Sequence, residues 1–367
     1  AIANSGSGTI TTMTNGLQDI ASGGSGTVTA MNGGTQAIAN SGSGTITTMT
    51  NGLQNIASGG SGTVSALNGG LQNINAGGTG TANVNGGTQD VYGSAVSTTV
   101  LGGTQILHSG GTLSKNILNG GTQNIASGAT LKADASGAEL TVQAAVISNG
   151  TQNVLEDGTA EGFILTSNGV QNVMGLAAST TMEQGGVQNI NNNGLAMGAM
   201  VNSGGIQNIN DGGIAMVAIV NSNGVQNVNS GGVNVMGALN GGTENIATGG
   251  DSQLVTVETG EINIASAGNL ELGIRQADAT QTYNVTTMNI ADGNVDLGDI
   301  SLDGTSTPGD TLNITTLNGS GNFNLNTDIA GGKADNINIT NASNSTANTL
   351  KINYDPSFDT VEQDRTR

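Results

Sequence analysis

The chain has 367 residues, of which 62 are glycine; 9% are charged, 2% are aromatic, and there is no tryptophan or cysteine. An ordinary domain carries about 7% glycine and about 25% charged residues, so an enzyme core built on bulky anchors is excluded, and collagen is excluded because glycine has no three-residue period. A net charge of −19 with only 7 basic residues excludes a generic binder of nucleic acid or anionic membrane, which needs a Lys/Arg footprint.

Residues 1–28 read AIANSGSGTITTMTNGLQDIASGGSGTV, and residues 37–64 repeat them with the single change of Asp19 to Asn55. Each 36-residue block is two related units of 18. A unit is marked by Gly, a spacer, then Gln-Asn-Ile/Val and a second glycine turn. The marker falls at Gln18, Gln36, Gln54, Gln72, Gln89, Gln105, Gln123, Gln152, Gln171, Gln188, Gln207, Gln226 and Glu244. The one long step, from Gln123 to Gln152, holds either a unit without a marker or an inserted loop within KADASGAELTVQ (132–143). A period of 18–19 residues is too short for helical solenoids, whose units run ~33–47 residues. It fits one coil of an all-β solenoid. Segments such as GTITTMT, GLQNIAS and GTVSALN are short, β-branched and bounded by Gly, Ser and Asn, as strands are. Coils stacked ~4.8 Å apart bury their apolar faces on their neighbours, so no single large core is needed.

Strand alternation assigns the faces. The aliphatic residue two after each marker, from Ile20 and Ile38 to Val228 and Ile246, is predicted to face inward. The marker Gln then points inward too, as an amide ladder at a corner. The residue between them points out. It is Asn55, Asn73, Asn124, Asn153, Asn172, Asn189, Asn208, Asn227 and Asn245, with Asp19, Ala37, Asp90 and Ile106 in the other four coils. This outward Asn row is the candidate self-association surface. Stacked amides can also exist for stability alone, as in cross-β ladders. Residues 1–130 carry only Asp19, Asp90 and Lys115 as fixed charges, so two such surfaces repel little there.

From about residue 250 the marker disappears, and 16 of the 26 acids lie in 251–367. The predicted organisation is a repeat region 1–250, a better-packed stretch 251–354 of the same solenoid, and a polar tail 355–367. The longest apolar runs, 194–201 and 212–220, fall short of the ~18 residues that span a bilayer as a helix. The absence of cysteine fits an exported chain. No signal-peptide pattern opens the chain; if the protein is exported, its signal is expected to have been cut away or to lie outside this sequence.

The GGTQNIASGGT-type unit resembles the passenger repeats of self-associating autotransporter adhesins, of the diffuse-adherence and aggregation type, over about 1–250. The segment 312–354 is similar to the junction that ends pertactin-like passengers, at Phe323, Leu325, Asn326, Asp328, Asp335, Ile337, Ile339, Leu350 and Ile352. Ser345 to Asn348 reads STAN where that family has a glycine turn. The resemblance implies a right-handed parallel β-helix displayed outside a Gram-negative cell, with 312–354 acting as an autochaperone-like junction. It also implies an outer-membrane β-barrel, which this chain lacks: no series of ~10-residue amphipathic strands follows 354. The partner it implies is a second copy in trans, giving aggregation and biofilm, with a host surface protein or glycan as a further partner. Some members of that family carry O-linked heptose on Ser or Thr.

Residues that carry chemistry are sparse. A triad needs histidine, and the chain has only His108. Gly250-Asp251-Ser252 resembles part of the serine-protease motif of this secretion class, but Gln253 follows where that motif has glycine. Glu156, Asp157 and Glu161 are the densest early carboxylates and the candidates for glycoside chemistry, with Phe163 the lone nearby aromatic; a glycan-binding or glycan-cleaving spike is the alternative function. Asp292, Asp296, Asp299, Asp303 and Asp310 offer hard oxygens for Ca²⁺, but their spacing matches no calcium loop. Asn284, Asn313, Asn338 and Asn344 open N-glycosylation-type triplets that arise by chance in an Asn- and Thr-rich chain. Met174, Met182, Met197, Met200, Met216 and Met236 are expected to fill the core. The expectation is a binding protein without catalytic residues, cofactor or metal.

Overall fold

The structure, a computed structural model, describes residues 1–132, 146–273, 280–297, 308–328 and 332–354. Among these every regular element is a β-strand. The chain divides into two compact units, 1–180 with 185–188, and 181–184 with 189–367. Each is a stack of parallel coils in the arrangement of the right-handed parallel β-helix.

In the first unit the four-residue strands Leu17–Ile20, Thr35–Ile38, Leu53–Ile56, Leu71–Ile74, Thr88–Val91, Thr104–Leu107, Thr122–Ile125 and Thr151–Val154 pair in parallel, residue on equivalent residue. Their inner residues are the marker Gln and the following Ile, Val or Leu, and both columns are buried. The alternation dictates this, because consecutive side chains of a strand leave on opposite faces. A fully buried Ile or Leu contributes about 1.5–3 kcal/mol relative to exposure, and every coil repeats the gain.

The glycine of the neighbouring strand makes the space. A Cβ on Gly26 would stand 2.5 Å from Ile20 Cδ1 and 2.9 Å from Gln18 Oε1, so that position holds the Ile and Gln of its coil only while it has no side chain.

The amide ladder forms as expected. Nε2 of Gln36 donates to Oε1 of Gln18 at 2.6 Å, Gln54 to Gln36 at 2.7 Å, and Gln72 to Gln54 at 2.7 Å. Gln89, Gln105, Gln123, Gln152, Gln171 and Gln188 continue it at 2.6–2.9 Å. The 29-residue step therefore holds an insertion and not an unmarked coil. Gln152 bonds Gln123 directly, and Asn153 bonds Asn124 at 2.9 Å. Most of the inserted stretch, 133–145, lies outside the described residues.

In the second unit the strands lengthen to Val233–Ile246, Asp251–Ile264, Thr282–Asp296 and Thr311–Asp328. The marker column changes in kind there. Register runs from Gln226 to Glu244, Ile262, Met288 and Leu317. The polar tail 355–367 lies outside the described residues.

The methionines depart from expectation. Met182 is fully buried, but Met197, Met200 and Met236 are each 41% exposed. In the three-residue strands Leu195–Met197 and Ile214–Met216 the alternation places Ala196 and Ala215 inside, which turns the flanking side chains outward.

Gln54→Ala is expected to cost about 2–4 kcal/mol, since it orphans Oε1 of Gln36, takes one acceptor from Nε2 of Gln72, which keeps Thr81 O at 3.2 Å, and leaves a void. Asn55→Ala, on the outer side of the same strand, should cost under about 1 kcal/mol. Urea unfolding of the two variants measures the difference, and equal costs would contradict a supporting role for the inner ladder.

Candidate interaction face

The outward asparagines stand half-buried on their sheet, flanked by the same residue one coil away. Six of the nine donate from Nδ2 to Oδ1 of an asparagine one coil before. In the first unit Asn73 bonds Asn55 at 2.9 Å, and Asn172 bonds Asn153 at 2.9 Å, extending the Asn153–Asn124 bond. In the second unit Asn208 bonds Asn189 at 2.8 Å, Asn227 bonds Asn208 at 2.7 Å, and Asn245 bonds Asn227 at 2.7 Å.

The ladder continues where the sequence marker ends. Asn263, Asn289 and Asn318 add three rungs at 2.6–2.7 Å. These residues were missed because aliphatic Ile262, Met288 and Leu317 stand where the Gln would be. The remaining signal was Asn followed by inward Ile, as in Asn263-Ile264 and Asn289-Ile290. A parallel row, Asn191, Asn210 and Asn229, bonds at 2.8–2.9 Å beside it. Together they line a shallow groove of about 510 Å³ with Asn227, Asn229, Asn245, Asn263, Asn289 and Asn318 on its wall, beside Ala247, Ala265 and Ala291. A primary amide has two N–H donors and two lone pairs. The ladder uses one of each; Asn289 spends its second N–H on Glu261 at 3.2 Å and Asn55 accepts a second bond from Asn75 at 3.0 Å, while a rung with no second bond keeps that capacity for a partner.

In the first unit the row is interrupted at Asp90 and Ile106. Beside the break the ring of His108 stacks on Tyr92 at 3.9 Å, the two planes nearly parallel, with Nε2 3.7 Å from Asp90 Oδ1. His108 is part of a local surface cluster. Ser252 is buried, and its hydroxyl donates to Glu244 Oε1 at 2.5 Å.

Of the carboxylates singled out for glycoside chemistry, Glu156 and Asp157 sit on an exposed turn. Of the calcium candidates, Asp299 and Asp303 lie outside the described residues. Asp310 accepts from the Gln281 backbone N–H at 2.7 Å, and Asp292 from Ser320 at 3.0 Å. Among the described residues no three acids or histidines gather to hold a metal ion.

A second groove of about 620 Å³ lies in the second unit, lined by Asp251, Glu271 and Asp296 with Asn269, Asn294 and Asn324. Asn269 donates to Asp251 at 2.6 Å, and Gln253 to Glu271 at 3.1 Å. Burial pushes the Asp296 carboxyl above its usual range; the charge of Asp335 adds to this and Lys351 opposes it.

The junction residues gather on the last coils. Phe323 and Leu325 face inward and are buried, and Leu350 and Ile352 stand in register over them. Ile337 and Ile339 stand over Leu312 and Ile314. Ile339, Leu350 and Ile352 are exposed. Asp328 pairs in backbone register with Lys333 across the described antiparallel contact. Asp335 is a clasp: Oδ1 accepts from the N–H of Gly309 at 2.9 Å and of Asp310 at 3.1 Å, and Oδ2 from Asn326 at 2.7 Å. Desolvation still raises its pKa against those bonds. Where a glycine turn was expected, Asn348 Oδ1 accepts from the Gly321 N–H at 2.8 Å and its Nδ2 donates to Ser345 at 2.6 Å, so side-chain bonds shape that turn.

Asp335→Ala leaves three backbone donors unanswered and is expected to destabilise the last coils by about 2–4 kcal/mol. Amide exchange of Gly309, Asp310 and Asn326 should accelerate while exchange in 1–130 stays unchanged; uniform protection in the variant would contradict the clasp.

Among curated proteins none matches the chain significantly. A solved structure of a TibC-catalysed hyper-glycosylated TibA fragment is similar to it, with 22% identity and a TM-score of 0.47, covering 94% of this chain and 99% of that one. The Pertactin family model matches residues 285–362. That match contains the junction segment and bears out its resemblance: the chain carries a pertactin-like region.

Proposed function

We propose that the chain is a cell-surface adhesin passenger that self-associates between cells through its outward asparagine face, promoting aggregation and biofilm, with adherence to host surfaces as a second use of the same face. The observation that carries this reading is the seven-rung Asn ladder from Asn189 to Asn318, half-buried on its sheet, whose rungs from Asn227 onward line a groove. One polar contact contributes about 1 kcal/mol net, so one coil binds nothing. Contacts repeated at coil spacing, and again over many copies on two cells, add up to avidity. The pertactin-like region supports display outside the cell. The face binds and does not catalyse: its residues are amides, with no nucleophile or acid–base pair among them.

The second groove favours one other reading, a glycan partner, because carboxylates and amides at Asp251, Glu271, Asp296 and Asn294 suit sugar hydroxyls. Glycan binding lost on Glu271→Gln would support it.

Sedimentation of the purified chain across concentration tests the first reading. Reversible dimers are expected, and replacing Asn189, Asn208, Asn227 and Asn245 together by Ala should abolish them without changing the β-sheet circular dichroism. Dimers that survive the fourfold replacement would move the interface elsewhere, and a chain monomeric at every concentration would sink homotypic adhesion.

A further inference from the structure

The buried amide column has one rung of another kind. Glu244 stands in register with Gln226 on one side and Ile262 on the other, fully buried. In each hydrogen-bonded step before it, from Gln36 on Gln18 to Gln226 on Gln207, an Nε2–H donates back to the Oε1 of the preceding rung. A carboxylate has no such hydrogen. The atoms show the shortage: Gln226 Oε1 and Glu244 Oε2 are both buried without a partner, and so is Asn234 Oδ1 nearby. Glu244 Oε1, by contrast, is served by the Ser252 hydroxyl at 2.5 Å and Asn234 Nδ2 at 3.2 Å. The cluster has surplus lone pairs and lacks one proton.

We propose that Glu244 is held as a neutral carboxylic acid whose O–H donates to Gln226 Oε1, closing the amide column and making this coil a pH-responsive fastening of the solenoid. One proton answers two orphan acceptors. An ionised carboxylate at the same place would be buried with no counter-charge to offset its lost hydration. The strands packed against it bring no cation: Val225–Val228, Ile214–Met216 and Ile219–Asn221 contain no titratable residue, and Asp251, Glu258 and Glu261 of Asp251–Ile264 point outward. Burial raises the carboxyl pKa to about 7, with the Ser252 and Asn234 bonds opposing.

The sign follows from linkage. The folded pKa lies above the unfolded value, so the folded state holds the proton more tightly. The stabilisation is complete below about 4.5 and is lost as pH rises to about 7. Glu244→Gln supplies a permanent Nε2–H and no titration. The test is urea unfolding of the full chain and of E244Q from pH 5 to 8.5. The folded-to-unfolded ratio of wild type relative to E244Q should fall about tenfold per pH unit up to about 7 and then level off. Parallel profiles would overturn the proposal. Infrared difference spectra at pH 6 should show a protonated-carboxyl carbonyl band in the wild type that E244Q lacks, and identical spectra would also overturn it. Stabilisation of wild type, but not E244Q, by added Ca²⁺ would assign the space to a cation and overturn it as well.

Discussion

A primary amide sealed inside a protein must be answered at both ends, because an unpaired buried donor or acceptor costs about 1–3 kcal/mol. The inner column of glutamines meets that demand by pairing each side chain with its own copy one coil away, at 2.6–2.9 Å. The bonds all point the same way, so successive dipoles align and polarise one another. Much else follows. Coils must stack in register, since a slip by one residue would turn Gln and Ile outward. In the first coils the glycine beside each pair, at Gly26, Gly44, Gly62 and Gly80, must stay bare; from Ala95 on, the same register position carries a side chain. An insertion must leave the column undisturbed, as the 123-to-152 step does.

The outer row obeys the same chemistry with smaller stakes. Its asparagines are half-buried, and water can answer an amide that loses its neighbour. The inner ladder therefore fixes the coil, while the outer one is free to change partners. A single strand of four residues thus turns one amide into the core and another toward the surface. The breaks at Asp90 and Ile106, with the Tyr92–His108 stack beside them, divide the available face of the first unit into separate runs.

Much of this was legible in the sequence, because a period of two within a period of eighteen leaves little freedom. Gln18, Ile20 and their equivalents could be assigned inward and the asparagines outward from alternation alone. Three features were not legible. Asn263, Asn289 and Asn318 lacked the marker, although the ladder they join needs only the amide itself. The methionines were assigned to the core by hydrophobicity, whereas short corner strands give the interior to Ala196 and Ala215. Asp335 could be placed in the junction by resemblance, but not its role there: its three backbone donors come from Gly309, Asp310 and Asn326, whose convergence exists only in the folded coil.

The near-identity of residues 1–28 and 37–64 has a genetic consequence. Coils related by translation present the same upper and lower surfaces, so a block can be excised or copied without creating a new kind of contact. Joining residue 18 directly to residue 55 would set Gln72 on Gln18 in place of Gln54, the same rung between the same neighbours. Homologous recombination within the duplicated DNA can therefore lengthen or shorten the reach of the molecule by 36-residue increments while every surviving coil keeps its fold.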